Sequence, residues 1–333
     1  MAAGSKWLII FFLAHTSVKA QFVGQGKIFD SLEKNIGRFP DKDTFRLNAL
    51  GAVLEQSMRN ATPSKAEKYY PETMLLAQKF KHKYRIASAY QYKGFSLVGK
   101  ADYHKGLSYL DSAIETYKNV EDPYKSEWGV AISHMDKARA FMFMGDKETQ
   151  LRHLLIALPI FDRIRHQNAV YVAMTVSGIY KELFNNEKGL EYAKHAVNAS
   201  ENQHREELKT LAYLNYALSW LSVNQTDKAD QWLEKAKALI SPTNNHQLWT
   251  YYNYLGRSYQ LQGKYEDARQ TFLQALQQAE KAGHEIFTLD ILSSLVSASL
   301  RTPHWRSTKE YLDRYMELAK KVGNPLNERE ALR

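Results

Sequence analysis

Residues 255–276 read LGRSYQLQGKYEDARQTFLQAL, and this stretch decides the architecture. Its apolar residues fall at helical spacing, yet Gly256 and Gly263 interrupt it. A glycine inside a helix costs about 1 kcal/mol relative to alanine, so a single helix here would carry the penalty twice. A helix pair removes the conflict. Gly256 then deletes a side chain where the two helices approach closely, and Gly263 ends the first helix at the turn into Lys264 and Tyr265.

The same stretch supplies a template: Tyr252, Leu255, Gly256, Tyr259, Gly263, Tyr265, Ala268, Phe272 and Ala275. Those residues at those offsets resemble the tetratricopeptide repeat family, whose pattern is an aromatic residue, Leu-Gly, Tyr, Ala and Phe. Sliding the template along the chain aligns Ala66, Gly106, Gln150, Gly189, Ala229 and Thr308 with Ala268. Seven helix pairs result. Their spacings of 40, 44, 39, 40, 39 and 40 residues exceed the standard unit, and the closing proline is replaced near Glu280 by continued helix. Longer second helices and longer joints would explain both departures. Armadillo and HEAT arrays have a similar period, but the Gly, Tyr and Ala offsets favour the tetratricopeptide pattern. Gln150 and Thr308 fit its small-residue column least well.

The resemblance implies an all-α fold, a right-handed α-solenoid of about seven tetratricopeptide-like pairs with a period of about 40 residues. Almost every segment after Asp43 has helical periodicity, and none alternates strictly as a half-buried strand does. The expected organisation is a signal peptide over 1–20, a lead-in over 21–43, the repeat array over 44–323 and the start of a further repeat over 324–333. That last stretch, NPLNEREALR, has the look of the entrance to an eighth pair, which suggests a fragment or a further domain.

Within the first twenty residues, Lys6 precedes an apolar run from Trp7 to Ala14, and Val18 and Ala20 are small residues at a cleavage site. The run is shorter than a bilayer-spanning helix needs, so it reads as a secretory signal, with an uncleaved anchor as the alternative. Removing it takes Lys6 and Lys19 with it, and the formal charge falls from +9 to +7. No later segment is apolar for long enough to be a transmembrane helix. The mature protein is therefore expected to be exported, periplasmic or at the cell surface.

The chain has no cysteine, which excludes disulfides, thiolate metal sites and a cysteine nucleophile. Its eleven histidines are scattered, with no HExxH and no clustered carboxylates at metal-ligand spacing. VGQGKIF, residues 23–29, lacks the spacing of a phosphate loop and reads as a flexible start of the mature chain. No enzyme and no cofactor is expected. Sequons occur at Asn60, Asn198 and Asn224.

Two surfaces stand out. By the resemblance, first helices line the concave face, and its inner positions include Phe95, Met135, Arg139, Met142, Tyr171, Met174, Leu214, Leu218, Asn253 and Arg257. Thioether and leucine side chains there suit an apolar or amphipathic peptide, and Arg139 and Arg257 suit its carboxylates. The competing reading buries the apolar members inside a tight superhelix. The second surface lies between Ser64 and Lys105, where nine basic residues face three acids, with Lys79, Lys81, Lys83 and Arg85 at its centre. It reads either as a dock for an acidic partner or anionic lipid, or as an ordinary solvated face. Nucleic acid is not an expected partner.

Over most of its length the chain also resembles the periplasmic repeat region of sensor histidine kinases and membrane-bound regulators from Bacteroidetes. The resemblance rests on the period and on DKDTFRLNAL (41–50), PSKAEKYYPETMLLAQK (63–79) and YMELAKKVG (315–323). It implies a sensor input with a membrane-bound signalling domain downstream. The alternative is a free-standing secreted structural or assembly factor.

Overall fold

The computed structural model describes residues 19–322 apart from residues 41, 60–62 and 284. The leader over residues 1–18, the sequon at Asn60 and the segment 324–333 lie outside them. The described chain is built of α-helices with one 3-10 segment and contains no strand. Helix α1 (Lys19–Gly37) comes first. It is followed by α2 (Thr44–Arg59), the 3-10 segment Pro63–Tyr69 and α3 (Tyr70–Lys79). Six further pairs follow: α4 (Lys83–Gly99) with α5 (Tyr103–Lys118), α6 (Pro123–Met144) with α7 (Lys147–Arg163), and α8 (Asn168–Glu182) with α9 (Asn186–Glu201). Then come α10 (Glu206–Leu221) with α11 (Thr226–Lys237), α12 (Asn245–Leu261) with α13 (Tyr265–Ala282), and α14 (Glu285–Ser299) with α15 (Trp305–Val322).

The template column holds throughout, since Ala66, Gly106, Gln150, Gly189, Ala229, Ala268 and Thr308 are all buried. Gly256 does what its position demands: a Cβ there would lie 2.7 Å from the Phe272 ring. In the second pair the glycines approach one another, a Cβ on Gly94 coming 2.9 Å from the Gly106 carbonyl. Five of the turns inside the pairs share one solution. Gly263 has φ +76°, and Lys264 N–H donates to Tyr259 O at 2.9 Å, closing the first helix with its last carbonyls satisfied. Gly145, Ala101, Phe184 and Asn224 occupy the equivalent turns, also at positive φ. Side-chain caps start several helices, with Asp122, Asp146, Asn185 and Asn244 each accepting from a backbone N–H three residues on.

Two expectations change. Residues 23–29 are part of helix α1, not a flexible start, and Phe29 and Ile36 are buried in one cluster with Leu47, Leu50 and Leu54 of α2. An amphipathic helix there covers the apolar face of the first pair, which a polar lead-in would leave wet. The long period also draws on a long first helix, the 22 residues of α6, beside the expected longer second helices and joints, whereas α11 has only 12 residues.

Two compact units divide the chain between Val172 and Ala173, inside α8. The N-terminal unit buries Tyr92, Tyr117 and Phe161 completely, each worth about 2–3 kcal/mol of apolar burial. In the C-terminal unit Leu214, Ala217, Leu233, Tyr251 and Tyr254 form one cluster. None of the described helices is long and apolar enough to cross a membrane.

Candidate binding cavity

Within the N-terminal unit the first helices α2, α4 and α6, with the start of α8, enclose a cavity of about 610 Å³. Its walls come from repeat-equivalent positions. Tyr84, Trp128 and Gln167 share one column, Ile132 and Tyr171 a second, Gln91 and Met135 a third, and Glu55, Phe95 and Arg139 a fourth. Met58, Arg59, Tyr124, Lys125, Asp136, His166 and Asn168 complete it. Helical spacing brings each column to the same face of successive first helices, which is why residues 39, 40 or 44 apart line one wall.

A polar network underlies the apolar wall. Asp136, only 4% exposed, accepts from Gln91 Nε2 at 2.8 Å, and Gln91 Oε1 accepts from the Tyr117 hydroxyl at 3.0 Å. Arg139 Nη1 lies 3.7 Å from Asp136 Oδ1, and its guanidinium sits 4.7 Å from the centre of the Phe95 ring. Burial pushes the Asp136 carboxyl above its ordinary pKa, against the opposing effects of Arg139 and Gln91. Burial likewise lowers the pKa of Arg139, while Asp136 opposes the shift. At another edge, Glu55 accepts from Arg85 at 2.6 Å and from the Tyr84 hydroxyl at 3.2 Å. His166 is held below its usual pKa by burial, and its Nδ1 accepts from the Asn168 N–H at 3.1 Å. Aromatic rings and thioethers therefore offer adaptable apolar contact, and Arg59, Lys125 and Arg139 supply positive charge.

The ten expected groove residues part company. Phe95, Met135, Arg139 and Tyr171 line the cavity, while Met142 is half-buried outside its wall. Leu214 is core, covered by the cluster that includes Tyr251 and Tyr254 of the next first helix, and Leu218 packs against the same cluster. Met174 is also core, because α8 is buried nearly all round from Ala169 to Ile179. Asn253 and Arg257 are cross-links: Asn253 Nδ2 donates to Asp290 at 3.0 Å, and Arg257 Nη2 donates to both its oxygens at 3.0 and 3.1 Å.

Trp128, Gln91, Asp136 and Glu55 were not singled out from the sequence. Carrying the Met135 and Arg139 columns back by 44 residues would have reached Gln91 and Phe95, and a further 40 would have reached Glu55. In the basic segment Arg85 is neutralised by Glu55, leaving Lys79, Lys81 and Lys83 exposed. No three His, Asp or Glu side chains among the described residues group to hold a metal ion.

Comparison with known proteins agrees with this fold. Residues 249–282 match the model of the family described as Tetratricopeptide repeat. No curated protein matches the chain in sequence. Among solved structures, the apo quorum sensor NprR from B. thuringiensis superposes with a TM-score of 0.61 at 14% identity, over 86% of this chain and 80% of that one. The STAND protein PH0952 from Pyrococcus horikoshii, with its tetratricopeptide repeat sensor, gives 0.61 at 14% identity over 99% of this chain and 55% of that one. The apo form of RapI gives 0.56 at 16% identity over 74% and 94%. The fold is that of a tetratricopeptide-like helical repeat protein, an all-α array of helix pairs.

Proposed function

We propose that the protein is a noncatalytic scaffold that holds an extended peptide or protein segment in the cavity of its N-terminal unit. The observation that carries this reading is the cavity itself, built from equivalent positions of successive first helices and walled by Phe95, Trp128, Met135 and Tyr171. Helical-repeat surfaces of this kind offer a segment several anchor points at a regular spacing, and Arg139 beside Phe95 suits a carboxylate on it. The fold is compatible with such a role, since NprR, similar to this chain at 14% identity and a TM-score of 0.57, was solved with its cognate peptide NprX.

The apolar run from Trp7 to Ala14 supports export to the periplasm or cell surface. The resemblance of the 40-residue period to periplasmic sensor repeats supports a role as the input part of a signalling protein. Cell fractionation tests the first point, and recovery in the cytosol would reject it.

A randomised peptide pool passed over immobilised protein tests the binding reading. Wild type should retain a restricted set of sequences, and Met135→Glu, which places a charge in the apolar wall, should lose them while melting as a folded protein. Equal retention by both proteins, or none by wild type, would reject the cavity as the site.

A further inference from the structure

The segment from Leu75 to Lys83 carries a surface that the cavity does not use. In the basic region around it, most charges are already matched. Glu67 holds Lys100 at 2.7 Å and Lys93 at 3.8 Å, Glu72 holds Arg46 at 2.6 Å, Asp102 holds Lys105 at 3.4 Å, and Glu33 holds Lys68 at 3.2 Å. Lys79, Lys81 and Lys83 are different: all three are exposed, and none makes an ion pair among the described residues. They flank two apolar side chains that also face outward, Leu75 at 58% exposure and Phe80 at 36%.

The backbone presents this cluster firmly. Helix α3 ends at Lys79, and the turn beyond it is closed by Lys81 N–H donating to Gln78 O at 3.1 Å and His82 N–H to Ala77 O at 2.9 Å. Lys81 sits in that turn at φ +52°, a conformation that favours glycine, yet the position carries a long cationic side chain. Lys79 Nζ lies 5.2 Å from the centre of the Phe80 ring, so charge and ring are offered side by side. Positive charge attracts a negative surface at a distance, and an adjacent exposed ring adds apolar contact at the boundary between headgroups and acyl chains. An acidic protein would satisfy the lysines but gives Phe80 and Leu75 no evident role.

We propose that Lys79, Lys81 and Lys83 with Phe80 and Leu75 form a docking surface for an anionic lipid membrane. The test is cosedimentation of the purified full chain with phosphatidylcholine vesicles and with vesicles of equal parts phosphatidylcholine and phosphatidylglycerol. The protein should sediment only with the anionic vesicles, and added salt should weaken it. Lys79→Glu, Lys81→Glu and Lys83→Glu combined should weaken binding at least about tenfold, since each lysine near a charged bilayer contributes several-fold. The corresponding triple glutamine variant should fall between them, and Phe80→Ser should reduce the binding that survives in high salt. Melting curves identify any variant that fails to fold, and the other variants then carry the test. Unchanged sedimentation of the folded charge-reversed protein would overturn the proposal. So would absence of binding to anionic vesicles, including the case where soluble polyglutamate is bound instead, which would indicate an acidic macromolecule.

Discussion

Arg139 and Arg257 occupy the same position of the repeat, one in each unit, and meet different surroundings. In the N-terminal unit Arg139 lines the cavity, stacked on Phe95 and 3.7 Å from Asp136 of its own helix. In the C-terminal unit Arg257 reaches across to the next first helix and is held by both oxygens of Asp290, with Asn253 donating to the same carboxylate. The repeat places a side chain on a face. The neighbouring pair decides whether that face is a wall or a joint.

Several changes would break or sharpen this contrast. The largest effects should come where both units depend on close helix approach. A Cβ on Gly129 would lie 2.1 Å from the Tyr117 ring, and one on Gly256 2.7 Å from that of Phe272. Gly129→Ala should cost about 3 kcal/mol by overpacking, and Gly256→Leu should also lower the melting temperature clearly. An unchanged melting curve in either variant would count against the close-approach role of these glycines.

Next in size is the joint itself. Asp290→Ala leaves Asn253 and Arg257 without this acceptor and should cost about 2 kcal/mol in denaturant titration. Asp136→Asn should stay within about 1 kcal/mol, because burial already favours the neutral form of that carboxyl and the amide is nearly its isostere. Equal losses in the two variants would erase the distinction between wall and joint.

Acid should separate the units as well. His134 and His153 meet Nδ1 to Nδ1 at 3.0 Å, a contact that requires one nitrogen to accept. Burial first, and Lys137 second, holds both imidazoles down to a pKa of about 4. The unfolded chain therefore takes up protons first as pH falls below about 6.5, so the stability is present above that value and is lost towards pH 4. In α12 and α13 the equivalent positions are Tyr252 and Thr271, so this histidine pair has no counterpart there. Hydrogen exchange across this range should show α6 and α7 loosening before α12 and α13, and replacing both histidines by glutamine should remove the difference. The smallest effect belongs to the turns: Phe184, at φ +57° and 85% exposed, should gain about 1 kcal/mol on replacement by glycine, whereas Gly263→Ala should lose a similar amount.

Much of the fold was legible because the repeat writes itself in local residues. Gly256, Gly263 and Ala268 announced a helix pair, and the shifted template found each of the others, including those built on Gln150 and Thr308. Helix α1 was missed because its residues match no repeat position, and only the burial of Phe29 and Ile36 against α2 reveals its role. The candidate cavity was half legible. Phe95, Met135, Arg139 and Tyr171 followed from the register, but the fates of Leu214, Asn253 and Arg85 depend on Tyr251, Asp290 and Glu55, which approach from other helices. Such partners lie about 35 residues away in the chain, beyond the reach of any local pattern.

The central claim is that the N-terminal cavity is the ligand site, and amide hydrogen exchange with a peptide retained from the pool tests it most directly. Protection should rise on the cavity helices α4 and α6 and leave α12 unchanged. Protection confined to α12 and α14, with none on α4 or α6, would contradict it.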